Sequence, residues 1–209
     1  APTGATGSAA AQHSQSLEGL FIHVPGIRVV VPSTPYDAKG LMKTALREEN
    51  PTVVLPSKPL NPMKGPVPTE DYSVPFGKAA IRREGKDITV VAWSRMAVRS
   101  LEAAERLEKD GISVEVIDPR TLVPLDNDSI LASVKKTGKV LIVEEECERG
   151  AAGAEIASMI ADEGFYHLRA PVKRVAAKNV PIPYAQVMEN FVIPQVEDVV
   201  KAIKEIIPL

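Results

Sequence analysis

The chain has 209 residues, 44% of them hydrophobic and 25% charged, enough apolar material for one large or two small packed domains. Its 25 Lys and Arg stand against 27 Asp and Glu, a formal charge of −2, which excludes the basic stripe of a nucleic-acid binder. No apolar run approaches the ~20 residues of a membrane span, and the single Cys147 excludes an internal disulfide and fits a reducing compartment, so a soluble, cytoplasmic protein is expected.

In chain order, APTGATGSAAAQ carries no helix or strand pattern and reads as a loop, with more of the protein expected upstream of it. From Ser14 the apolar positions Leu17, Leu20, Phe21 and Val24 predict a helix stopped by Pro25-Gly26. Arg28 to Val31 predicts a short strand. Thr34-Pro35-Tyr36-Asp37 is a helix start, with a capping Thr, Pro in the first turn and an acid behind it. Ala38, Leu41, Met42, Ala45 and Leu46 should be that helix's buried stripe, Asn50-Pro51 its stop, and Thr52 to Leu55 a second strand parallel to the first.

Residues 56–75 hold six prolines, Pro56, Pro59, Pro62, Pro66, Pro68 and Pro75, so an extended connection and a domain boundary are expected there. Alternation then resumes. Strands are predicted at 88–93, 113–117, 140–143 and 172–176, and helices at 97–109, 128–136 and 153–162. A last helix carries Val196, Val199, Val200, Ile203 and Ile207 on one face. The pattern predicts an α/β fold: a β-α-β unit before the proline-rich stretch, then a doubly wound, mostly parallel sheet after it.

Ligands of such sheets gather beyond the carboxyl ends of the strands, which directs attention to the loops there. Asp118-Pro119-Arg120-Thr121 could form a loop-shaping ion pair. Glu144 to Gly150 holds four carboxylates in five positions; a solvated charged loop accounts for them, and cation or partner binding is the alternative. Gly150-Ala151-Ala152-Gly153 opens a helix and could attract an anion, though close packing explains the glycines as well. Cys147 has no Cys-x-x-Cys partner to suggest zinc, and His23 reads as structural. His13 is placed at a helix start among Gln12, Ser14, Gln15 and Ser16. The positive helix end there disfavours imidazolium, a useful property in an acid–base residue.

The string HSQSLEGLFIHVPGIRVVVPSTPYDAKGLMKTALREENPTVV resembles the beta subunit of the thiamine-diphosphate-dependent decarboxylase component of 2-oxoacid dehydrogenase complexes, of pyruvate dehydrogenase type. The resemblance continues through VPFGKAAIRREGKDITVVAW, EVIDPRTLVPLD, SVKKTGKVLIVEE, GAEIA, APVKRV, VPIPYA and IPQVEDVVKAI, covering nearly the whole chain after its first ten residues. It implies a transketolase-like pyrimidine-binding domain, represented by its C-terminal half in residues 1–70, and a transketolase C-terminal-like domain in 71–209. It implies oxidative decarboxylation of a 2-oxoacid, pyruvate first among them, and acyl transfer to lipoamide. The implied cofactors are thiamine diphosphate shared with an alpha subunit, magnesium on that subunit, and potassium. The implied partners are the alpha subunit in an α2β2 heterotetramer and the dihydrolipoamide acyltransferase core, in the cytoplasm or mitochondrial matrix.

On the same resemblance, His13 falls on the family's active-site histidine, with a role in proton transfer and positioning during acyl transfer. Ala45, Leu46, Glu48 and Asn50 fall on a monovalent-cation site, with Glu48 where the family usually has Asp. No residue is assigned to the thiamine cofactor itself, because the family's activating glutamate would lie upstream; the chain alone is expected to be inactive. The rival expectation is a non-catalytic module that docks the alpha subunit and the acyltransferase core. A nucleotide- or anion-binding domain built on Gly150 to Gly153 is a third.

Overall fold

Five strands with apolar residues on both faces form the larger sheet of the computed structural model, which describes residues 1–208. They are β3 (Ala80–Arg83), β4 (Ile88–Ala92), β5 (Val114–Asp118), β7 (Val140–Cys147) and β8 (Lys173–Ala177), in the order β3-β5-β4-β7-β8. All neighbours run parallel except the edge strand β3. The central strands are continuous β-branched runs because both of their faces are covered. Ile88, Val90 and Ala92 pack with α4 (Ser94–Glu108) and α8 (Val196–Ile206). Val91, Val140 and Ile142 pack on the other side, with α5 (Asn127–Thr137) and α6 (Ala152–Glu163). This is the expected mostly parallel α/β sheet.

The earlier residues build β1 (Arg28–Val30), α3 (Pro35–Arg47) and β2 (Thr52–Val54), with β1 and β2 parallel as predicted. Thr34 caps α3 as its composition requires, accepting from Asp37 N–H, with Pro35 in the first turn. A third strand, β6 (Thr121–Val123), joins this small sheet antiparallel to β1 although it comes from the later part of the chain. Val29, Val31 and Leu55 therefore share a core with Ile117, Ile142 and Ile156, across the proline-rich stretch.

Several expectations are corrected. The helix read from Ser14 shrinks to α2 (Glu18–Ile22), and a further short helix, α1 (Ala10–Ser14), stands before it at the end of the stretch read as loop. Leu17, Leu20 and Val24 are exposed, and Phe21 and Ile22 are the residues that pack inward. The stripe read on α3 is turned: Asp37, Gly40 and Leu41 are buried, whereas Met42 and Leu46 are exposed. Gly40 explains the rotation. A Cβ there would lie 2.5 Å from Val74 Cγ2, so the backbone of α3 lies directly against Tyr72 and Val74. Helix α4 starts at Ser94, before the residue read as its beginning. Besides α1, the strands β3 and β6 and the helix α7 (Gln186–Val192) carry no clear sequence pattern. Among the described residues no helix is long and apolar enough to cross a membrane.

Candidate active-site segment and its carboxylate supports

The opening residues hold more structure than their composition suggests. Thr3 bridges to Ser57, just beyond β2, and Gln15 O accepts from Thr3 Oγ1 at 3.1 Å and Gly4 N at 3.3 Å. Between these points the backbone enters the left-handed region four times, at Gly4 (φ +84°), Gly7 (+84°), Ser8 (+55°) and Ala10 (+57°). Ser8 and Ala10 have Cβ atoms, so this conformation is strained and persists only where its surroundings over-determine it.

His13 lies on this segment, exposed, and its carbonyl accepts from the Lys58 ammonium. Lys58 follows the carboxyl end of β2, so His13 sits where α/β sheets place ligands. It is not at a helix start: it occupies the last turn of α1, and the argument from a positive helix end does not apply. His23 is exposed at the C-terminal end of α2 and lines a groove of about 850 Å³ beside α6.

Three carboxylates from the later part of the chain hold this segment by its backbone. Glu145 accepts from Ala5 N at 2.8 Å and is itself gripped by Arg95, whose Nη2 and Nε reach its two oxygens at 2.6 and 2.9 Å. Glu189 of α7 takes Gly7 N on one oxygen at 3.0 Å and Ser8 N on the other at 3.2 Å. Glu146 receives Gly19 N on both oxygens, at 2.8 and 3.0 Å, and Ala152 N at 3.1 Å. Glu189 and Glu146 are buried.

The carboxylate run read as a solvated loop is thus corrected. Glu144, Glu145 and Glu146 belong to β7, which continues through Cys147, and Glu144 is fully buried against Arg174 Nη2 at 2.6 Å. The anion reading of Gly150 to Gly153 falls with it. The amides that open α6 are taken by the chain's own acids, Ala152 N by Glu146 and Gly153 N by Glu144 at 2.7 Å. A Cβ on Gly153 would lie 2.4 Å from Glu144 Oε1, which is why glycine stands there. Cys147 is exposed, and its sulfur lies 3.6 Å from Arg149 O.

Glu18, the first residue of α2, is also buried, and its Oε2 has no hydrogen-bond partner. Burial, and next to it the Glu146 charge, pushes its carboxyl up to about 8. Glu146 is pushed up to about 7, chiefly by burial, against the two amides that favour its charge. A proton on Glu18 at neutral pH removes the cost of an uncompensated buried charge.

A second buried cluster joins the same two parts of the chain. Arg82 of β3 donates to Asp37 of α3 and, at 2.7 Å, to Asp118 at the end of β5; Arg120 stands 3.5 Å from Asp37. Arg120 has φ +62°, and its amide donates to Asp118 Oδ1 at 3.0 Å. The ion pair expected within Asp118-Pro119-Arg120 does not form: Asp118 pairs with Arg82 and Arg120 with Asp37, and Asp118 meets Arg120 only through its backbone amide. At the far end of α3, Ala45 is half-buried and Leu46 and Asn50 are exposed. Glu48 lies 3.5 Å from Arg28 Nε, and its Oε2 is buried without a hydrogen-bond donor.

Sequence reasoning missed Glu18, Glu189, Arg95 and Arg174. One signal was available: Glu144 to Glu146 directly extend the apolar run Val140 to Val143, and a buried strand that continues into acids must pair them. Glu189 and Arg95 carry no local mark.

A family model described as the transketolase C-terminal domain matches residues 77–199, and one described as the transketolase pyrimidine binding domain matches residues 1–64. The 2-oxoisovalerate dehydrogenase subunit beta of Bacillus subtilis is 45% identical over 99% of this chain and 64% of its own length. The acetoin:2,6-dichlorophenolindophenol oxidoreductase subunit beta of the same organism is 44% identical over 98% of this chain and 60% of its own. The mitochondrial pyruvate dehydrogenase E1 component subunit beta-2 of Oryza sativa subsp. japonica is 44% identical over 97% of this chain and 55% of its own. Among solved structures, a split-gene transketolase in an inactive beta4 tetramer superposes with a TM-score of 0.82 at 28% identity, over 99% of this chain and 65% of that one. The chain therefore spans between about half and two thirds of the length of these relatives.

Proposed function

Given that the chain belongs to the transketolase C-terminal domain family and also matches its pyrimidine-binding domain, we propose that it forms part of the beta subunit of a 2-oxoacid dehydrogenase. The relatives' names speak of 2-oxoisovalerate, acetoin and pyruvate. Pyruvate is the first substrate to try. The proposed assembly is a heterotetramer with an alpha subunit, docked on an acyltransferase core, in the cytoplasm or mitochondrial matrix. Thiamine diphosphate, with magnesium on the alpha subunit, supplies the electron sink for decarboxylation when bound. No residue of this chain is assigned to hold it.

The observation that carries the proposal is His13. It is solvent-accessible beyond the carboxyl end of β2, on a strained segment, with its backbone held through the carbonyl by Lys58 and its imidazole exposed. Its proposed part is proton transfer and positioning as the acyl group passes to lipoamide. Domain limits of 1–70 and 71–209 go with this reading.

Ala45, Leu46, Glu48 and Asn50 are the proposed monovalent-cation ligands. Glu48 Oε2, buried without a hydrogen-bond donor, fits a cation, and the last turn of α3 offers carbonyls at its negative end. Arg28 Nε, 3.5 Å from Glu48, is the competing positive charge.

The test is reconstitution. The subunit carrying these residues is assembled with its alpha partner, thiamine diphosphate and magnesium, and lipoamide acylation is followed with pyruvate and 2-oxoisovalerate, beside a His13→Ala variant. Acylation lost in the variant by about 100-fold or more supports the proposal, the scale general acid–base catalysis contributes. Stable assembly without acylation from any 2-oxoacid overturns it in favour of a docking module.

A further inference from the structure

His13 rides on a helix of five residues, too short to hold its own shape in water. The backbone leading to it crosses the left-handed region at Ser8 and Ala10, a conformation such residues abandon when nothing enforces it. What enforces it comes from the other end of the chain. Ala5 N meets Glu145, Gly7 N and Ser8 N meet the two oxygens of Glu189, and Gly19 N meets both oxygens of Glu146. The bonds fall on both sides of His13, eight to five residues before it and six after it.

We propose that Glu145, Glu146 and Glu189 are positioning residues for His13, forming a clamp that sets where its imidazole stands. The proposal rests on the reading of His13 as an acid–base residue. None of the three needs to touch substrate. Each grips backbone amides, so the clamp works whatever side chains the segment bears. Each is anchored in turn: Glu145 by Arg95, Glu146 by Ala152 N, and Glu189 by Gln186 Nε2 at 3.4 Å. The clamp belongs to the C-terminal part and the histidine to the N-terminal part, so the second part takes a share in the chemistry without lending a reacting group.

Glu189 gives the cleanest variants because it uses one oxygen per amide. Glu189→Gln replaces an acceptor with an NH2 that faces an N–H, so one of the two amides is left unpaired. Glu189→Asp keeps two acceptors on a shorter stem. In the assembled enzyme, Glu189→Gln should lower kcat for lipoamide acylation by about 10- to 100-fold, the scale of a misplaced catalytic group, with KM for the 2-oxoacid unchanged. Glu189→Asp should recover most of that loss. In a His13→Ala background, Glu189→Gln should cost nothing more, because a residue acting through His13 has nothing left to position.

Amide hydrogen exchange on the 209-residue chain supplies the readout that needs no activity. Glu189→Gln should speed exchange at residues 4–14 by about 10-fold or more and leave the β4 and β5 amides unchanged. Losses that multiply in the double variant, or exchange at residues 4–14 that does not respond, overturn the clamp. If His13→Ala itself leaves acylation intact, the acid–base reading fails and the proposal falls with it. An acylation loss from His13→Ala with unmoved exchange condemns the clamp alone.

Discussion

Asp37 and Asp118 meet two guanidinium groups, Arg82 and Arg120, whereas Glu18 and Glu146 are hydrogen-bonded to no cationic side chain among the described residues. Both clusters are buried, and both join residues before the proline-rich stretch to residues after it. They resolve the same cost in different ways. The Asp–Arg cluster balances charge with charge and hydrogen-bonds most of its oxygens, which is what a buried ion pair requires. The Glu cluster keeps one carboxylate on backbone amides and holds the other neutral. Burial raises the Asp118 carboxyl as well, but the Arg82 charge opposes it there, whereas no cation opposes burial at Glu18, so the Glu seam should respond to pH.

The comparison is broken most severely by removing the shared cation. Arg82→Met leaves Asp37 and Asp118 buried with only Arg120 nearby, and should cost about 3–5 kcal/mol in urea denaturation, the usual result of stripping one partner from a buried pair. A cost below about 1 kcal/mol would show that the two aspartates simply take up protons.

The pH response separates the seams. Glu18 has a folded value of about 8 against an ordinary 4.5, so between those limits the folded chain keeps a proton that the unfolded chain has released. Stability therefore falls as pH rises from 4.5 to about 8 and levels off above it. Glu146 adds the same sign between 4.5 and about 7. Glu18→Gln stays neutral throughout and should flatten the slope by up to about 1.4 kcal/mol per pH unit, measured by denaturation at a series of pH values.

Gly19→Ala probes the packing of the Glu seam alone. Its Cβ would lie 2.5 Å from Gly150 O and 2.8 Å from Glu146 Oε1, so the α2 and β7 ends must part. A loss of about 1–3 kcal/mol is expected, together with a downward shift of the pH response as water reaches Glu18. Cys147→Ser marks the limit of the seam. The residue is exposed one position beyond Glu146, and its replacement should change stability by no more than about 0.5 kcal/mol and leave acylation intact.

Hydrophobic periodicity made the long parallel sheet readable, because strands such as β4 and β7 are apolar on both faces and nothing competes with that signal. It failed where polar groups decide the packing. On α3 the buried face is Asp37 and Gly40, held by Arg82 and by close contact with Val74, so a stripe of Met42 and Leu46 points outward instead. Strand β6 has only three residues, and its partner β1 lies some ninety positions earlier, beyond the reach of local patterns. His13 stood out by its polar neighbours, but the helix start that made it an acid–base candidate is absent and its role came through resemblance; nothing nearby hints that the segment is strained. Glu189 was invisible. It looks like any helix-surface acid until the fold brings Gly7 and Ser8 to it from more than 180 positions away.

The most direct measurement is a side-chain carboxyl titration of Glu18 and Glu146 by carbon-13 NMR, assigned through Glu18→Gln. The account predicts that Glu18 remains protonated at pH 6 and releases its proton near pH 8, with Glu146 titrating near 7 and staying there when Glu18 is replaced by neutral Gln. If Glu18 titrates at its ordinary value near 4.5, the interior at this seam is wet or cationic, and the contrast between the two buried seams is wrong.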